Sequence, residues 1–193
     1  PVNFAQPYRA LSLQDFWRRW HISLSSWLRD YLYIGLGGSR GGRAKTIRNL
    51  MATMLLGGLW HGAGWTFVLW GVIHGVGLVI ERFVVKRLVP GGLGVGEQSR
   101  IWQVVRFLVT FHVVCVGWVF FRAVDVERAM EVFGALGGSW ISAPTVGVGV
   151  LLLLLVGTAT QLVPSGTADA WWDRAARLPV VVQAAAIVTA ILT

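Results

Sequence analysis

The chain has 193 residues, of which 55% are hydrophobic and only 13% charged, with a mean hydropathy of +0.62. A soluble domain carries about a quarter charged residues, so this apolar surplus faces lipid rather than a protein core. The net charge of +8 would point to nucleic acid in a soluble protein, but here Lys and Arg sit mostly in short links between apolar runs, as in cytoplasmic loops of membrane proteins, and nucleic-acid binding is set aside.

The 11 tryptophans fit the same picture, since amphipathic rings favour membrane–water interfaces. The single cysteine, Cys115, lies in an apolar run and provides neither a disulfide framework nor a thiol metal site. The chain starts at Pro1-Val2-Asn3 without an initiator methionine or a signal peptide and stops inside an apolar run at Thr193. It is therefore expected to be a piece of a longer protein.

Residues 12–33 read as the first helix. Leu13, Phe16, Trp17, Trp20, Leu24, Trp27, Leu28 and Tyr31 recur at helical spacing, while Asp15, Arg18, Arg19, Ser26, Arg29 and Asp30 fall largely on the other face. Ser12 followed by Asp15 resembles a capping box. Such a helix is too polar to span, so it is expected to lie in the interface or to line an aqueous cavity. Residues 35–48 form a glycine-rich basic loop that fits neither the P-loop nor the dinucleotide fingerprint. Arg40, Arg43, Lys45 and Arg48 have no acidic neighbour there, and the positive-inside rule explains them more simply than an anion site.

Residues 50–83 are apolar but interrupted. Leu50 to Leu59 makes a helix of about 15 Å, half of a roughly 30 Å hydrocarbon core. The stretch from Gly57 to Gly64 is poor in helix formers, and a second helix runs from about Trp65 to Phe83. The simplest arrangement is a broken or re-entrant hairpin, whose irregular backbone needs protein or a water-filled cavity around it. That places His61 in a cavity. A glycine-rich link follows at 90–96, then candidate spans at 102–121, 145–163 and 178–193. Loop charges put 35–48, 84–100 and 164–177 inside and 122–144 outside. The expected fold is all-α: one polytopic integral membrane domain with an interfacial amphipathic helix and a broken or re-entrant hairpin.

The four histidines are His21, His61, His74 and His112. No pair has metal-ligand helical spacing, and neither Asp nor Glu occurs between Tyr31 and Ile80, so no metal site is expected. There is no GxSxG elbow for a serine hydrolase, and Cys115 lacks a base nearby in sequence. His61 is the best single candidate, because a polar side chain at membrane depth is costly, and neutral imidazole is able to accept a proton from an attacking hydroxyl. The competing reading is a histidine bonded to a neighbouring helix. His21, at the edge of the amphipathic helix beside tryptophans, reads alone as an interfacial side chain. His74 with Glu81 fits packing or orientation, and His112 fits a bond to a helix neighbour.

The segments Phe16-Trp17-Arg18-Arg19-Trp20-His21-Ile22-Ser23-Leu24-Ser25 and Trp27-Leu28-Arg29-Asp30-Tyr31-Leu32-Tyr33-Ile34 are distinctive. So are Leu36-Gly37-Gly38-Ser39-Arg40, Leu56-Gly57-Gly58-Leu59-Trp60-His61-Gly62-Ala63, Trp65-Thr66-Phe67, Trp70-Gly71 and His74-Gly75. With Gly117-Trp118-Val119-Phe120-Phe121-Arg122-Ala123, they resemble in order and combination the membrane-bound O-acyltransferase (MBOAT) family, in its bacterial branch acting in alginate O-acetylation and teichoic-acid D-alanylation. The resemblance covers about residues 10–123, and the remainder matches only as hydrophobic spans. It implies a pair of functional histidines, His21 and His61, with His61 catalytic. One departure is Gly35, where the family pattern has proline.

The resemblance further implies the C-terminal part of a single membrane domain, whose N-terminal helices help to build the channel. The expected activity is transfer of an acetyl group from a cytoplasmic acyl thioester, acetyl-CoA or another, toward a cell-envelope polysaccharide such as alginate. Arg40, Arg43 and Lys45 are the expected contacts of the donor phosphates, and Trp60 and His74 complete the candidate substrate contacts. No tightly bound cofactor is implied. The surroundings would be membrane lipid of a bacterial inner membrane, with an extracytoplasmic acyltransferase as partner. A teichoic-acid, lipid or protein acceptor stays open, as does, in a different class, a transporter or channel subunit whose broken hairpin binds a solute.

Overall fold

A computed structural model describes residues 2–85, 99–136, 148–163, 167–179 and 182. They contain helices and turns and no strand. The chain divides into two compact units, Pro1–Val146 and Gly147–Thr193.

The first unit opens with a turn at Pro7–Arg9 and helix α1, Leu13–Arg19. Ser12 caps α1 by accepting the Asp15 amide at 3.0 Å, as its spacing predicts, and Asp15 pairs with Arg19 one turn on at 2.8 Å. The single helix expected over 12–33 does not form. It breaks at Trp20-His21, where His21 takes the left-handed conformation (φ 42°), and restarts as α2, Ile22–Trp27. The cause is remote in sequence: the Asn3 carbonyl accepts the Ile22 amide and the Asn3 side chain accepts the Ser23 amide, both at 2.9 Å. These amides begin α2 and would otherwise be orphaned. A π-helical turn, Leu28–Tyr33, extends α2, and its Ile34 amide reaches back to the Arg29 carbonyl.

The loop after it is ordered by Asn49, which is fully buried and donates to the carbonyls of Leu36 (3.0 Å) and Gly38 (2.9 Å). Helix α3 is longer than the expected half-span. It runs from Arg43 to His61, 19 residues or about 28 Å. Arg43, Lys45 and Arg48 therefore belong to its first turns rather than to a loop. Gly57 and Gly58 stay helical despite their low propensity, because a residue with a side chain at 58 would strike the Phe67 carbonyl of the next helix.

The chain reverses at Gly62-Ala63-Gly64 into α4, Trp65–Ile80, which continues as a π-helical turn over Glu81–Val85. Helix α5 spans Arg100–Arg122 and α6 spans Val126–Leu136. Trp65–Val85 and Arg100–Arg122 are each long and apolar enough to cross a membrane. The core joins Ala10, Leu13 and Phe16 to Val114 of α5, with Trp17, Trp20, Leu78 and Trp118 packed on it.

The second unit has α7, Val148–Leu162, where a span over 145–163 is expected, and α8, Thr167–Ala176. The expected link over 90–96 and nearly all of the expected span over 178–193 lie outside the described residues.

Candidate active site

His61 is the last residue of α3, and the turn after it sets the ring among aromatic neighbours from three helices. Trp60 lies 4.9 Å away and Phe121 of α5 also 4.9 Å, both edge-on, with Trp70 at 5.6 Å and Phe67 at 6.2 Å. Gly62 is fitted to this cluster, since a Cβ there would come within 2.7 Å of the Phe67 ring. The imidazole is half-buried, and no described residue hydrogen-bonds its nitrogens.

His21 sits at the break between α1 and α2. A left-handed backbone is uncommon outside glycine, though His, Asn and Asp are enriched there, and it concentrates at functional sites. The His21 Nδ1 lies 3.4 Å from the Ser23 hydroxyl, which itself donates to Asn3 at 2.9 Å. His21 lines an open cleft of about 560 Å³ with Ser23, Leu24, Trp27, Leu56 and Trp60. Trp60, 65% exposed, thus faces the cleft of His21 while its ring touches His61. The fold brings together three of the sequence-selected residues, His21, Trp60 and His61.

It does not bring the other four to them. His74 is 1% exposed and enclosed by Phe16, Trp17 and Trp70, and a Cβ at Gly117 would stand 2.8 Å from its Nε2. It lines no cleft described here, but Trp70 packs on both His74 and His61, so His74 backs the wall behind the site. Arg43 lies over the Phe83 ring at 4.9 Å and Lys45 against Gly41, at the opposite end of α3, about 27 Å along the helix from His61. Arg40 belongs to the loop before α3.

Several residues that shape the site carry no local sequence signal. Glu81 is buried, and its carboxylate accepts the amides of Leu13 at 2.7 Å and Gln14 at 3.3 Å, so α4 caps the start of α1. Arg106 of α5 donates to the Leu11 carbonyl at 3.0 Å on the same turn. The one available hint is that Glu81 is the first acid after a long stretch without any. Phe121 stands out only as part of a motif, and its contact with His61 explains that motif. Gly35 is a tight fit, since a Cβ there would meet the Tyr31 carbonyl. A second cavity, of about 340 Å³, lies beside the His21 cleft and shares Leu28 with it; Arg18, Arg29 and Arg82 are in its lining.

Residues 1–122 match the family model described as MBOAT, membrane-bound O-acyltransferase family. The chain is 50% identical over 140 residues to a Pseudomonas aeruginosa protein described as probable alginate O-acetylase AlgI, covering 72% of this chain and 25% of that protein. It is 43% identical over 143 residues to the peptidoglycan O-acetyltransferase of Helicobacter pylori, covering 72% of this chain and 25% of that protein. To the teichoic acid D-alanyltransferase of Streptococcus thermophilus it is 29% identical over 136 residues, covering 63% of this chain and 32% of that protein. The chain spans about a quarter of the length of the first two relatives.

Proposed function

The chain belongs to the membrane-bound O-acyltransferase family, and from that premise we propose that the protein transfers an acetyl group from a cytoplasmic thioester toward hydroxyls of a cell-envelope polysaccharide such as alginate. The observation that carries this reading is Trp60, which lines the open cleft of His21 while its ring lies 4.9 Å from that of His61. In the proposed step the His61 imidazole removes the proton of the attacking hydroxyl. The hydroxyl oxygen bonds to the thioester carbonyl carbon, the carbon–sulfur bond breaks, and the proton passes to the departing thiolate. An ester and a free thiol result. His21 donates to the carbonyl oxygen as charge develops on it.

The relatives' names divide among alginate, peptidoglycan and teichoic acid, and the higher identities go with O-acetylation rather than D-alanylation. That gradient supports an acetyl group and a polysaccharide acceptor. The setting is a multi-pass protein of the bacterial cytoplasmic membrane, with an extracytoplasmic acyltransferase receiving the acetyl group.

The test is the O-acetyl content of the envelope polysaccharide after His61→Ala is introduced at the native locus, with membrane abundance measured alongside. General-base loss predicts a fall of about 10²–10⁴-fold in transfer rate, seen as near-absence of O-acetyl groups at normal abundance. Unchanged acetylation would remove His61 from the mechanism. Thioester consumption that depends on His61 separates acyl transfer from solute transport.

A further inference from the structure

Helix α5 carries Cys115, Trp118, Val119 and Arg122 at helical spacing, so they share one face, and that face forms one wall of an open groove of about 490 Å³. Arg128 and Val132, one turn apart on α6, line it from the other helix, with Val124 of the intervening turn. The groove is polar at one end only. Arg122 is the last residue of a helix long and apolar enough to cross a membrane, and Cys115 precedes it by seven residues, about 10 Å along the axis. Guanidinium groups therefore stand at the membrane–water end, and the side chains of Val119, Trp118 and Cys115 lead from there toward the hydrocarbon.

No described acid lines the groove. Asp125, in the turn, accepts the Arg128 amide at 2.7 Å, and Glu131 pairs with the Arg128 side chain, whose remaining N–H groups stay available. Arg122 has no hydrogen-bond or ion-pair partner among the described residues. Helix α6 sets the level of this end. Its Ala129 is fully buried and its Phe133 lies 5.5 Å from Phe120, while Met130 and Leu136 stay exposed beside them and Glu127, Arg128 and Glu131 take the other side. An apolar arc wider than the packed contact, backed by a charged face, is the pattern of a helix lying in the membrane interface.

We propose that the groove between α5 and α6 binds an anionic phospholipid, with its phosphate on Arg122 and Arg128 and an acyl chain along the apolar face toward Cys115. Arginine forks match phosphate oxygens at headgroup level, and the uncompensated Arg122 supplies the charge complement. The apolar wall below the arginines selects a lipid over a free phosphate, and its depth in the span selects a lipid over a soluble protein. The site lies one residue from Phe121, whose ring is 4.9 Å from His61, so a bound lipid would steady the end of α5 that packs on the imidazole. The proposal needs the membrane setting and does not depend on the acyl-transfer chemistry.

The experiment titrates the complete protein, purified in neutral detergent, with dioleoyl phosphatidylglycerol and with dioleoyl phosphatidylethanolamine, and counts bound lipid by native mass spectrometry. Arg122→Gln and Arg128→Gln alter exposed side chains and keep a hydrogen-bonding group. Each is expected to weaken phosphatidylglycerol by about tenfold, the loss of one charge-assisted bond, and to leave the weaker binding of net-neutral phosphatidylethanolamine unchanged. A phosphatidylglycerol with a diazirine in one acyl chain is expected to label residues 115–132 on irradiation, and to label them less in both variants. Equal phosphatidylglycerol affinity in wild type and both variants would overturn the assignment, as would labelling confined to other segments. If glycerol 3-phosphate competes as well as the lipid, the arginines act without the apolar wall and the assignment falls. It falls too if an extracytoplasmic acyltransferase, and not the lipid, protects residues 115–132 from hydrogen exchange, since the face is then a protein interface.

Discussion

Replacing Gly71 by alanine should push α3 and α4 apart at the hairpin that carries His61. The added Cβ would stand 2.6 Å from the Met54 carbonyl oxygen and 3.1 Å from the Leu55 Cα, where ordinary contact begins near 3.4 Å. Both atoms are backbone, so no side-chain rotation relieves the clash, and the helices must separate by about 0.8 Å. Alanine gains about 1 kcal/mol over glycine in helix propensity. Overpacking a close contact costs about 1–3 kcal/mol. With both clashing atoms in the backbone the cost falls in the upper part of that range, for a net loss of up to about 2 kcal/mol, and the separation also loosens Trp70 from His61. The assay is thermal unfolding of the detergent-solubilised protein, with Gly134→Ala in α6 as control, because a Cβ there meets nothing within 4 Å. Gly134→Ala should raise the midpoint and Gly71→Ala should lower it by several degrees. Equal gains in both variants would show that α3 and α4 do not meet backbone to backbone, and the packing argument would fail.

Glu81→Ala should orphan the Leu13 and Gln14 amides and cost about 1–3 kcal/mol in the same thermal assay, and Glu81→Gln, whose amide oxygen still accepts, should recover most of it. His21→Gly should keep normal membrane abundance, because glycine takes the left-handed backbone freely, yet lower polysaccharide O-acetylation; His21→Val should lower abundance as well. Asn49→Ala frees the Leu36 and Gly38 carbonyls and should increase hydrogen exchange across residues 35–42 while leaving α5 unchanged.

What was legible in the sequence was what neighbours along the chain determine. Ser12 and Asp15 announce the start of α1, the apolar runs announce α4 and α5, and the glycines after His61 announce a reversal. The misreadings have one physical source, which is partners far away in the chain. The break at His21 depends on Asn3, 18 positions earlier, and the Glu81 cap joins residues 68 apart. Likewise, α3 keeps its helix through Gly57 and Gly58 because close packing against α4 compensates for weak propensity.

Both histidines of the site lie where local rules stop predicting the backbone, and that coincidence has a structural reason. An unbroken helix would bond the Ile22 and Ser23 amides to the carbonyls of Arg18 and Arg19, and residue 21 would continue the surface of α1. Transferring those amides to Asn3 releases residue 21 into a left-handed turn on the cleft shared with Trp60. His61, one residue before the reversal at Gly62, is likewise held by packing from α4 and α5 rather than by its own helix alone. Imidazoles placed at two chain breaks keep their ring nitrogens clear of their own helix backbones, while Asn3 on one side and Trp70 and Phe121 on the other supply the rigidity that the breaks remove. Local propensity and tertiary position conflict at these two points, and such conflicts concentrate at functional sites. On that ground we propose that His21 and His61 serve one site, whereas His74, buried inside the regular turns of α4, packs behind it.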